Sequence, residues 1–264
     1  MIVIGIVGLI GAGKDTAAKY IEKKYGYTPI SFSELVHEKV KEEGLEPTRE
    51  NLQNIAKKYR EKYGMDYFAK LAVEKALNSG KDKIILKELR RREDVEYPKR
   101  FFKDFYIIEI YANKKIRFKR LKERATKKDP KTWKDFLEQE KKEELLGFHE
   151  AIKYSDFKIK NNGRLKELYS KIDKVMKEIE TKYKIRRAVE EYNKYRAPEA
   201  NIEIEKIKDN YVILRFFGPF CKSCGVYDYF EDFIFFLRDL ELDGKIKNVK
   251  EIKNGFLVKF KIKF

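Results

Sequence analysis

A glycine-rich segment near the amino terminus constrains the fold of this chain more than any other feature. Residues 8–15 read GLIGAGKD and follow a short apolar run, Ile2–Val7, that suits a buried parallel strand. Glycines and a lysine at this spacing, between a strand and a helix, are typical of the Walker A phosphate loop. Its backbone amides wrap an anion, and the helix amino terminus adds positive potential. A tight strand-to-helix turn would need the glycines but not the lysine.

The loop predicts a binding site for a nucleoside triphosphate, with ATP and Mg²⁺ as the cofactors. The predicted cofactor-binding residues are Gly8, Gly11, Ala12, Gly13, Lys14, Asp15 and Thr16. Lys14 is expected to reach the terminal phosphates. The Ser or Thr that usually follows the lysine and holds Mg²⁺ is replaced by Asp15. Asp15 is therefore the candidate metal ligand, directly or through water, and Thr16 the candidate contact to the α-phosphate.

The positive charge of the chain is unevenly distributed. The formal net charge is +17, yet residues 197–264 carry 12 Lys and Arg against 11 Asp and Glu, and residues 1–196 carry 49 against 33. A cationic amino-terminal part would attract nucleotides or nucleic acids, although a lysine-rich solvated surface gives the same count. The Lys- and Glu-rich balance also resembles thermophile composition.

The chain lacks the marks of a membrane or secreted protein. No segment reaches the roughly 20 apolar residues that a membrane-spanning helix needs, and the hydrophobic start lacks the basic region of a signal peptide. Two cysteines in 264 residues argue against a disulfide scaffold. We expect a cytoplasmic protein.

Strand-like and helical segments alternate as far as about residue 195. This order predicts an α/β fold, a doubly wound parallel sheet with right-handed crossovers, over residues 1–196. The segment RAPEA marks a boundary. Beyond it, two predicted hairpins flank an aromatic-rich helix. Residues 197–264 are therefore predicted to form a small ββαββ unit of the α+β class.

Several further segments resemble the archaeal P-loop nucleotide kinases related to adenylate, cytidylate and dephospho-coenzyme A kinases. GKDT also resembles the loop of deoxynucleoside monophosphate kinases, and PTRENLQNIAKKYREKYGMDYFAK is the most distinctive match. LRRREDVE resembles the arginine-bearing loop of the family, IRFKRLKER and KKDP resemble its lid, and YSDFKIKNNG resembles its last strand and following loop. The matches run in order through about residues 1–180. The resemblance implies transfer of the γ-phosphoryl group of ATP to a nucleotide-like acceptor.

The resemblance also implies roles for arginines. Arg49, Arg60 and Arg90 become candidates for gripping the acceptor's phosphate. The catalytic candidates are Lys14, Glu88, Arg90, Arg117, Arg120 and Arg124. The last three lie on one helical face and are expected to stabilise charge on the transferring phosphoryl group. Solvated basic helix faces are the alternative interpretation of these arginines.

Two departures from the family pattern bear on catalysis. Family members usually carry Asp-Gly before the loop arginine, where this chain has Lys87 and Glu88. Glu88 is a candidate substitute for the aspartate, whereas Lys87 reverses the sign of the charge. The lid also lacks a second arginine close after Arg124. An alternative is therefore a nucleotide-binding regulatory or RNA-associated protein with altered catalysis, and a third is a kinase acting on RNA ends.

The carboxy-terminal unit contains a CxxC motif, Cys221 and Cys224, before its helix. Three interpretations stay open: a redox pair, a zinc site completed across a dimer, and structural thiols or a disulfide. Zinc needs four ligands, and the two histidines, His37 and His149, are remote in sequence. A zinc deaminase is excluded because no histidine follows His149 and Phe220 stands where its motif has proline.

The aromatic helix of this unit carries more rings than one buried face needs. Core packing explains most of them. An exposed remainder would stack on bases or form a homodimer interface. The near-zero charge of residues 197–264 weakens the nucleic-acid interpretation of this unit.

Overall fold

The computed structural model describes residues 1–126, 129–145, 147, 149–208, 210–222 and 225–263. The chain divides into two compact units, residues 1–174 and 175–264. The division falls inside one helix, Leu165–Arg196. The boundary predicted from sequence, after residue 196, stays a prediction about which fragments fold.

The first unit is built on a five-stranded parallel sheet, which confirms the predicted α/β fold class. Its strand order is β2-β3-β1-β4-β5, and every neighbouring pair is parallel. The strands are β1 (Ile2–Val7), β2 (Thr28–Ser31), β3 (Lys83–Lys87), β4 (Asp104–Tyr111) and β5 (Phe157–Lys160). All six residues of β1 are buried, as expected for a central strand covered on both faces.

The sheet strands are connected by helices. These are α1 (Lys14–Tyr25), α2 (Phe32–Glu42), α3 (Arg49–Tyr63), α4 (Tyr67–Asn78), α5 (Glu93–Lys99), α6 (Lys114–Arg124), α7 (Trp133–Leu145) and α8 (Leu165–Arg196). Helix α2 has a side-chain cap at its amino terminus. Ser31 caps this helix because its hydroxyl oxygen accepts the backbone N–H of Glu34.

The strand order determines where a ligand site would lie. The connections after β1 and β4 leave from the carboxyl ends of two adjacent strands and run in opposite directions along the sheet. A crevice forms at such a switch point, outside the carboxyl ends of the strands. The glycine-rich loop follows β1 at this place, so the fold puts the predicted phosphate site where open α/β sheets bind ligands.

The second unit contains a four-stranded antiparallel sheet in the order β6-β7-β9-β8. Its elements are β6 (Asn201–Lys208), β7 (Tyr211–Phe217), α9 (Val226–Asp239), β8 (Asp243–Ile252) and β9 (Gly255–Lys263). The predicted ββαββ order is therefore confirmed. The second half of α8 contributes Ile185, Ala188 and Tyr192 to the same hydrophobic core as the sheet.

The aromatic residues of α9 divide between core and surface. Phe230 and Phe233 are fully buried, whereas Tyr227 and Phe235 are 59% and 58% exposed. Core packing thus accounts for part of the aromatic excess, and an exposed remainder exists. A homodimer through this unit stays a prediction. In the part of the chain that the structure describes, no helix is both long and apolar enough to span a membrane.

Candidate phosphate-binding site

The glycine-rich loop has the backbone conformation that its glycines allow. Gly8, Gly11 and Gly13 have φ angles of 145°, 75° and 99°, a region that residues with a Cβ atom rarely adopt. A Cβ atom at Gly8 would lie 2.3 Å from the carbonyl oxygen of Ile110, and one at Gly13 would lie 2.5 Å from Nδ2 of Asn161. Backbone conformation and close packing therefore both require glycine here.

The carbonyl group of Ala12 is held from outside the loop. Asn161 Nδ2 donates to it at 2.8 Å, and Arg120 Nη1 donates at 3.4 Å. In a planar trans peptide the N–H group points away from the carbonyl group. The N–H group of Gly13 is therefore turned to the opposite side, into the concave face of the loop, where an anion would receive it.

Arg117 supports the same loop one peptide earlier. Its side chain is 1% exposed and donates to the carbonyl oxygen of Ile10 at 3.2 Å. It also forms an ion pair with Glu140 of α7 at 2.6 Å. By the same peptide geometry, the N–H group of Gly11 points inward. The predicted contact of Arg117 with the transferring phosphoryl group stays a prediction, and this geometry favours a positioning role instead.

Arg124 lies at the end of α6 and is the most exposed of the three lid arginines. Its Nε donates to Asp129 Oδ2 at 2.9 Å, and Nη2 donates to the other carboxylate oxygen. This pairing with Arg124 holds the pKa of Asp129 well below its ordinary value, and Thr126 adds to the effect. The same hydrogen bonds to Asp129 raise the pKa of Arg124, and the carboxylate of Asp15 adds to the effect.

Lys14 is the first residue of α1 and is partly buried. Its Nζ donates to the carbonyl oxygen of Leu9 at 3.1 Å. Burial, the largest cause, and the charge of Arg90 together lower the pKa of Lys14 to about 8, although Asp15 and Glu143 oppose the shift. Desolvation disfavours the charged ammonium group, so an anion bound at this place would restore a favourable environment for the proton.

The candidate metal ligand lies at the mouth of the loop. Asp15 and Thr16 are both exposed in the first turn of α1. Among the described residues, no three His, Cys, Asp or Glu side chains cluster as a metal site. A Mg²⁺ ion here would therefore need oxygen ligands from the triphosphate and water beside Asp15, which is the usual way Mg²⁺ is bound with nucleotides.

A second group of arginines gathers around a buried carboxylate. Asp94 Oδ2 accepts the backbone N–H groups of Arg90 and Arg91, each at 3.0 Å. Burial raises the pKa of Asp94, while these hydrogen bonds and Arg60 oppose the shift. Burial also lowers the pKa of Arg60, whose Nε is buried without a hydrogen-bond partner. Arg60 thus presents an unsatisfied charged donor.

Arg49 is not brought to this group. It is exposed at the first residue of α3, and it precedes Arg60 by 11 residues on the same helix. At 1.5 Å per residue this separation is about 16 Å along the helix axis. The predicted role of Arg49 in binding the acceptor phosphate stays a prediction.

The two departures from the kinase pattern have separate contacts. Lys87 forms an ion pair with Glu22 of α1 at 3.3 Å. Glu88 has a φ angle of 68°, the left-handed conformation that suits the glycine of the family pattern. Its carboxylate accepts the hydroxyl of Ser31 and the backbone N–H of Ser33 at 3.1 Å. The carboxylate of Glu88 therefore binds the start of α2. Its predicted catalytic role stays a prediction.

The CxxC motif is only partly described. Cys221 is a free, partly buried thiol, and burial raises its pKa. Cys224 lies outside the described residues. A raised pKa disfavours the thiolate that redox chemistry and zinc binding both use.

Sequence reasoning missed the side chains that hold the site together. These are Asn161, Glu140, Asp129 and Asp94. Asn161 directly follows β5, and the loop that carries Arg90 and Arg91, called the arginine loop, directly follows β3, so position at the carboxyl ends of strands was the available signal. Glu140 gave no such signal because it reaches Arg117 through tertiary packing, and Asp129 lies in the segment five residues after Arg124.

Comparison with known proteins finds sequence relatives and structural neighbours of the first unit. A family model described as an AAA domain matches residues 7–136. The UPF0200 protein of Thermococcus kodakarensis is 34% identical over 186 residues, which cover 69% of this chain and 100% of that protein. Shikimate kinase from Acinetobacter baumannii, solved with shikimate, is 15% identical with a TM-score of 0.44 and covers 69% of this chain and 94% of that one. Dephospho-CoA kinase from Campylobacter jejuni is 20% identical with a TM-score of 0.44 and covers 67% and 96%.

Proposed function

Since this chain belongs to the UPF0200 family of archaeal proteins, we propose that it is an ATP-dependent phosphotransferase acting on a small nucleotide-like acceptor. The observation that carries the proposal is a preorganised phosphate loop together with Arg60, a partly buried arginine whose Nε has no hydrogen-bond partner. Phosphoryl transfer requires positioning and electrostatic stabilisation more than covalent chemistry. A cradle for the donor phosphates beside a cationic grip for an acceptor supplies both.

The donor side would bind the triphosphate of ATP through the loop amides and Lys14. Arg120, Asn161 and Arg117 hold the loop carbonyl groups outward, so the inward amides need no rearrangement when an anion enters. Preorganised donors are worth more than flexible ones because they need no reorganisation during the reaction. Gly11 and Gly13 belong to this cradle, which a Cβ atom would disrupt.

The acceptor side would use Arg60 and the arginine loop. A buried charged donor without a partner is costly, and an anionic group on the acceptor would satisfy it. Arg60 also stacks on Phe68, with its guanidinium carbon 5.0 Å from the ring centroid, so its plane is fixed. Arg90 lowers the pKa of Lys14, which supports placing the arginine loop beside the donor phosphates.

During transfer, Lys14 and Arg124 would stabilise charge on the transferring group. Bound Mg²⁺ would neutralise charge shared by the β- and γ-phosphates. Asp15 would hold the metal, directly or through water, and Thr16 would contact the α-phosphate. Asp129 keeps the Arg124 fork in one orientation, and guanidinium forks match phosphate oxygens better than an ammonium group does.

A second candidate function is a nucleotide-binding regulatory protein without turnover. The contacts of Lys87 and Glu88 favour it, because no free carboxylate occupies the position of the family aspartate. Lys87 is paired with Glu22, and Glu88 with the start of α2. This candidate predicts ATP binding with no labelled product for any acceptor.

The test is an acceptor screen with ATP labelled at the γ-phosphate. The full chain is incubated with Mg²⁺ and nucleoside monophosphates, dephospho-coenzyme A, or an oligoribonucleotide with a 5′-hydroxyl group. We expect one class of small acceptor to be labelled. Labelling of the oligoribonucleotide alone would favour the RNA-end kinase, and tight ATP binding with no product would favour the regulatory protein.

Arginine variants then locate the acceptor. Arg60→Ala should raise the acceptor KM about 10- to 100-fold, the cost of losing a hydrogen bond to a charged group, with ATP affinity little changed. Arg49→Ala is the comparison on the same helix and should change the KM less than threefold. Equal effects of the two substitutions would contradict the assignment of Arg60.

A further inference from the structure

The sheet of the second unit has one face packed against the core and one open face. Ile202, Val212, Phe216, Val258 and Phe260 belong to the packed face and are buried. Their neighbours along each strand point to the opposite side, because side chains alternate in a β-strand. We call this side the open face.

Strand register arranges the open face in three rows across the sheet. The rows are Lys208–Tyr211–Lys261–Lys245, Lys206–Ile213–Lys259–Asn248 and Glu203–Arg215–Leu257–Lys250. All twelve side chains are partly or fully exposed. Seven of them are cationic and one is anionic, so the near balance of charge in residues 197–264 does not apply to this face.

Carboxylates of the same segment are few beside the three rows. Glu203 and Glu205 pair with Arg215, and Asp243 is the register partner of Lys263. Helix α9, by contrast, carries Asp228, Glu231, Asp232 and Asp239 and one basic residue, Arg238. Basic residues therefore predominate in the three rows, and acidic residues predominate on α9.

The open face also places like charges directly opposite each other. Lys245 and Lys261 are register partners on β8 and β9, and like charges in this relation destabilise a sheet. Lys259 and Lys263 flank Lys261 on the same face of β9. Among the described residues of the three rows, Arg215 is the cationic side chain that forms ion pairs with carboxylates. Its partners are Glu203 and Glu205. A polyanion bound here would relieve the repulsion among the lysines.

Apolar and aromatic side chains lie between the cations. Tyr211 and Ile213 on β7 and Leu257 on β9 are partly exposed in the two central strands. The ammonium group of Lys259 is 4.2 Å from the centroid of the Tyr211 ring. An exposed ring beside lysines is the arrangement that lets a base stack while its phosphates meet positive charge.

From these observations we propose that the open face binds single-stranded nucleic acid, with phosphates on the lysines and a base stacked on Tyr211. Single strands suit a flat sheet because their bases are free to lie against the surface. This interaction is independent of the phosphate loop. It also differs from the sequence-based interpretations, which assigned a nucleic-acid partner to the cationic amino-terminal part or to exposed rings of the aromatic helix.

The test measures binding of fluorescently labelled single-stranded RNA to the full chain by anisotropy across a salt series. Lys259→Gln with Lys261→Gln should weaken binding about 20-fold at 0.1 M salt and reduce the salt slope by about 1.4, since each contact contributes about 0.7. The matched control is Lys81→Gln with Lys103→Gln, which removes the same charge from exposed positions before β3 and β4 and should change affinity less than twofold.

Further variants separate stacking and the phosphate loop from this charge effect. Tyr211→Phe should keep the affinity and Tyr211→Ala should lose about 5-fold or more, with circular dichroism confirming that both fold. Lys14→Ala should leave RNA binding unchanged. Equal losses in the matched control, RNA binding that Lys14→Ala abolishes, or binding to anionic phosphatidylserine vesicles without binding to RNA would each overturn the proposal.

Discussion

At the scale of single residues, the environment of Lys14 links nucleotide binding to protons. Burial holds its pKa at about 8 instead of the ordinary 10.5. The folded state therefore releases the proton before the unfolded state does. The penalty of the buried charge is present below pH 8 and is relieved as the pH rises from about 8 to 10.5, so Lys14 makes the free energy of unfolding increase over this range.

This linkage gives the first prediction. Phosphate binding should raise the pKa of Lys14, so at pH 8 to 9 ATP binding should take up a fraction of a proton, and ATP affinity should fall by up to tenfold per pH unit above 8. Titration calorimetry in buffers of different ionisation enthalpy measures the uptake. Lys14→Ala should abolish both the uptake and the ATP-dependent rise in Tm. ATP stabilisation that survives this substitution would contradict the phosphate-loop assignment.

Residue-scale features divide into those with a local signal in the sequence and those without one. The loop glycines and Lys14 were predictable because a strand-to-helix turn around an anion imposes their spacing. Glu88 was identified as a departure, but its left-handed backbone and its bond to Ser31 depend on β2 lying beside β3.

At the scale of elements, α6 carries arginines with different tasks. The sequence predicted that Arg117, Arg120 and Arg124 share a helical face. Two of them bind carbonyl groups of the phosphate loop, and Arg124 binds Asp129. Helical periodicity therefore identified the direction in which the arginines point. It did not distinguish a loop support from a phosphate ligand, because that difference depends on how deeply each side chain is buried.

The burial of Arg117 gives a prediction about stability. Arg117→Ala should lower the free energy of unfolding by about 3–5 kcal/mol, because the buried Glu140 would keep only the exposed Lys114, at 3.3 Å, as a cationic partner. Lys119→Ala on the same helix removes an exposed pair with Glu123 at 3.8 Å and should cost less than about 1 kcal/mol. Urea unfolding monitored by circular dichroism measures both. A loss below 1 kcal/mol for Arg117→Ala would contradict the positioning role.

At the scale of the whole molecule, the resemblance to archaeal P-loop nucleotide kinase-like proteins is confirmed by the family assignment and the fold. Buried strands gave continuous apolar runs, which is why their number and order of appearance were predictable. The beginning of β8 has no clear signal in the sequence. Gly244 and the bulge between Ile246 and Asn248 interrupt the alternation of apolar and polar residues in this strand.

The division inside α8 leads to a prediction about fragments. Ile185, Ala188 and Tyr192 of α8 belong to the core of the second unit. A fragment of residues 175–264 should therefore unfold cooperatively in urea, whereas residues 197–264, which lack these side chains, should not. Residues 1–174 should keep ATP binding. Cooperative unfolding of residues 197–264 with the same midpoint as the longer fragment would favour the boundary predicted from sequence.

The shared helix also has a consequence for synthesis on the ribosome. The second half of α8 emerges before the 68 residues that complete its core. At 5–20 residues per second, these take about 3 to 14 seconds to translate. During that interval Ile185 and Tyr192 are exposed on a nascent chain whose first unit already has all its strands. The second half of α8 is therefore the segment whose exposed apolar side chains a ribosome-associated chaperone would bind during synthesis.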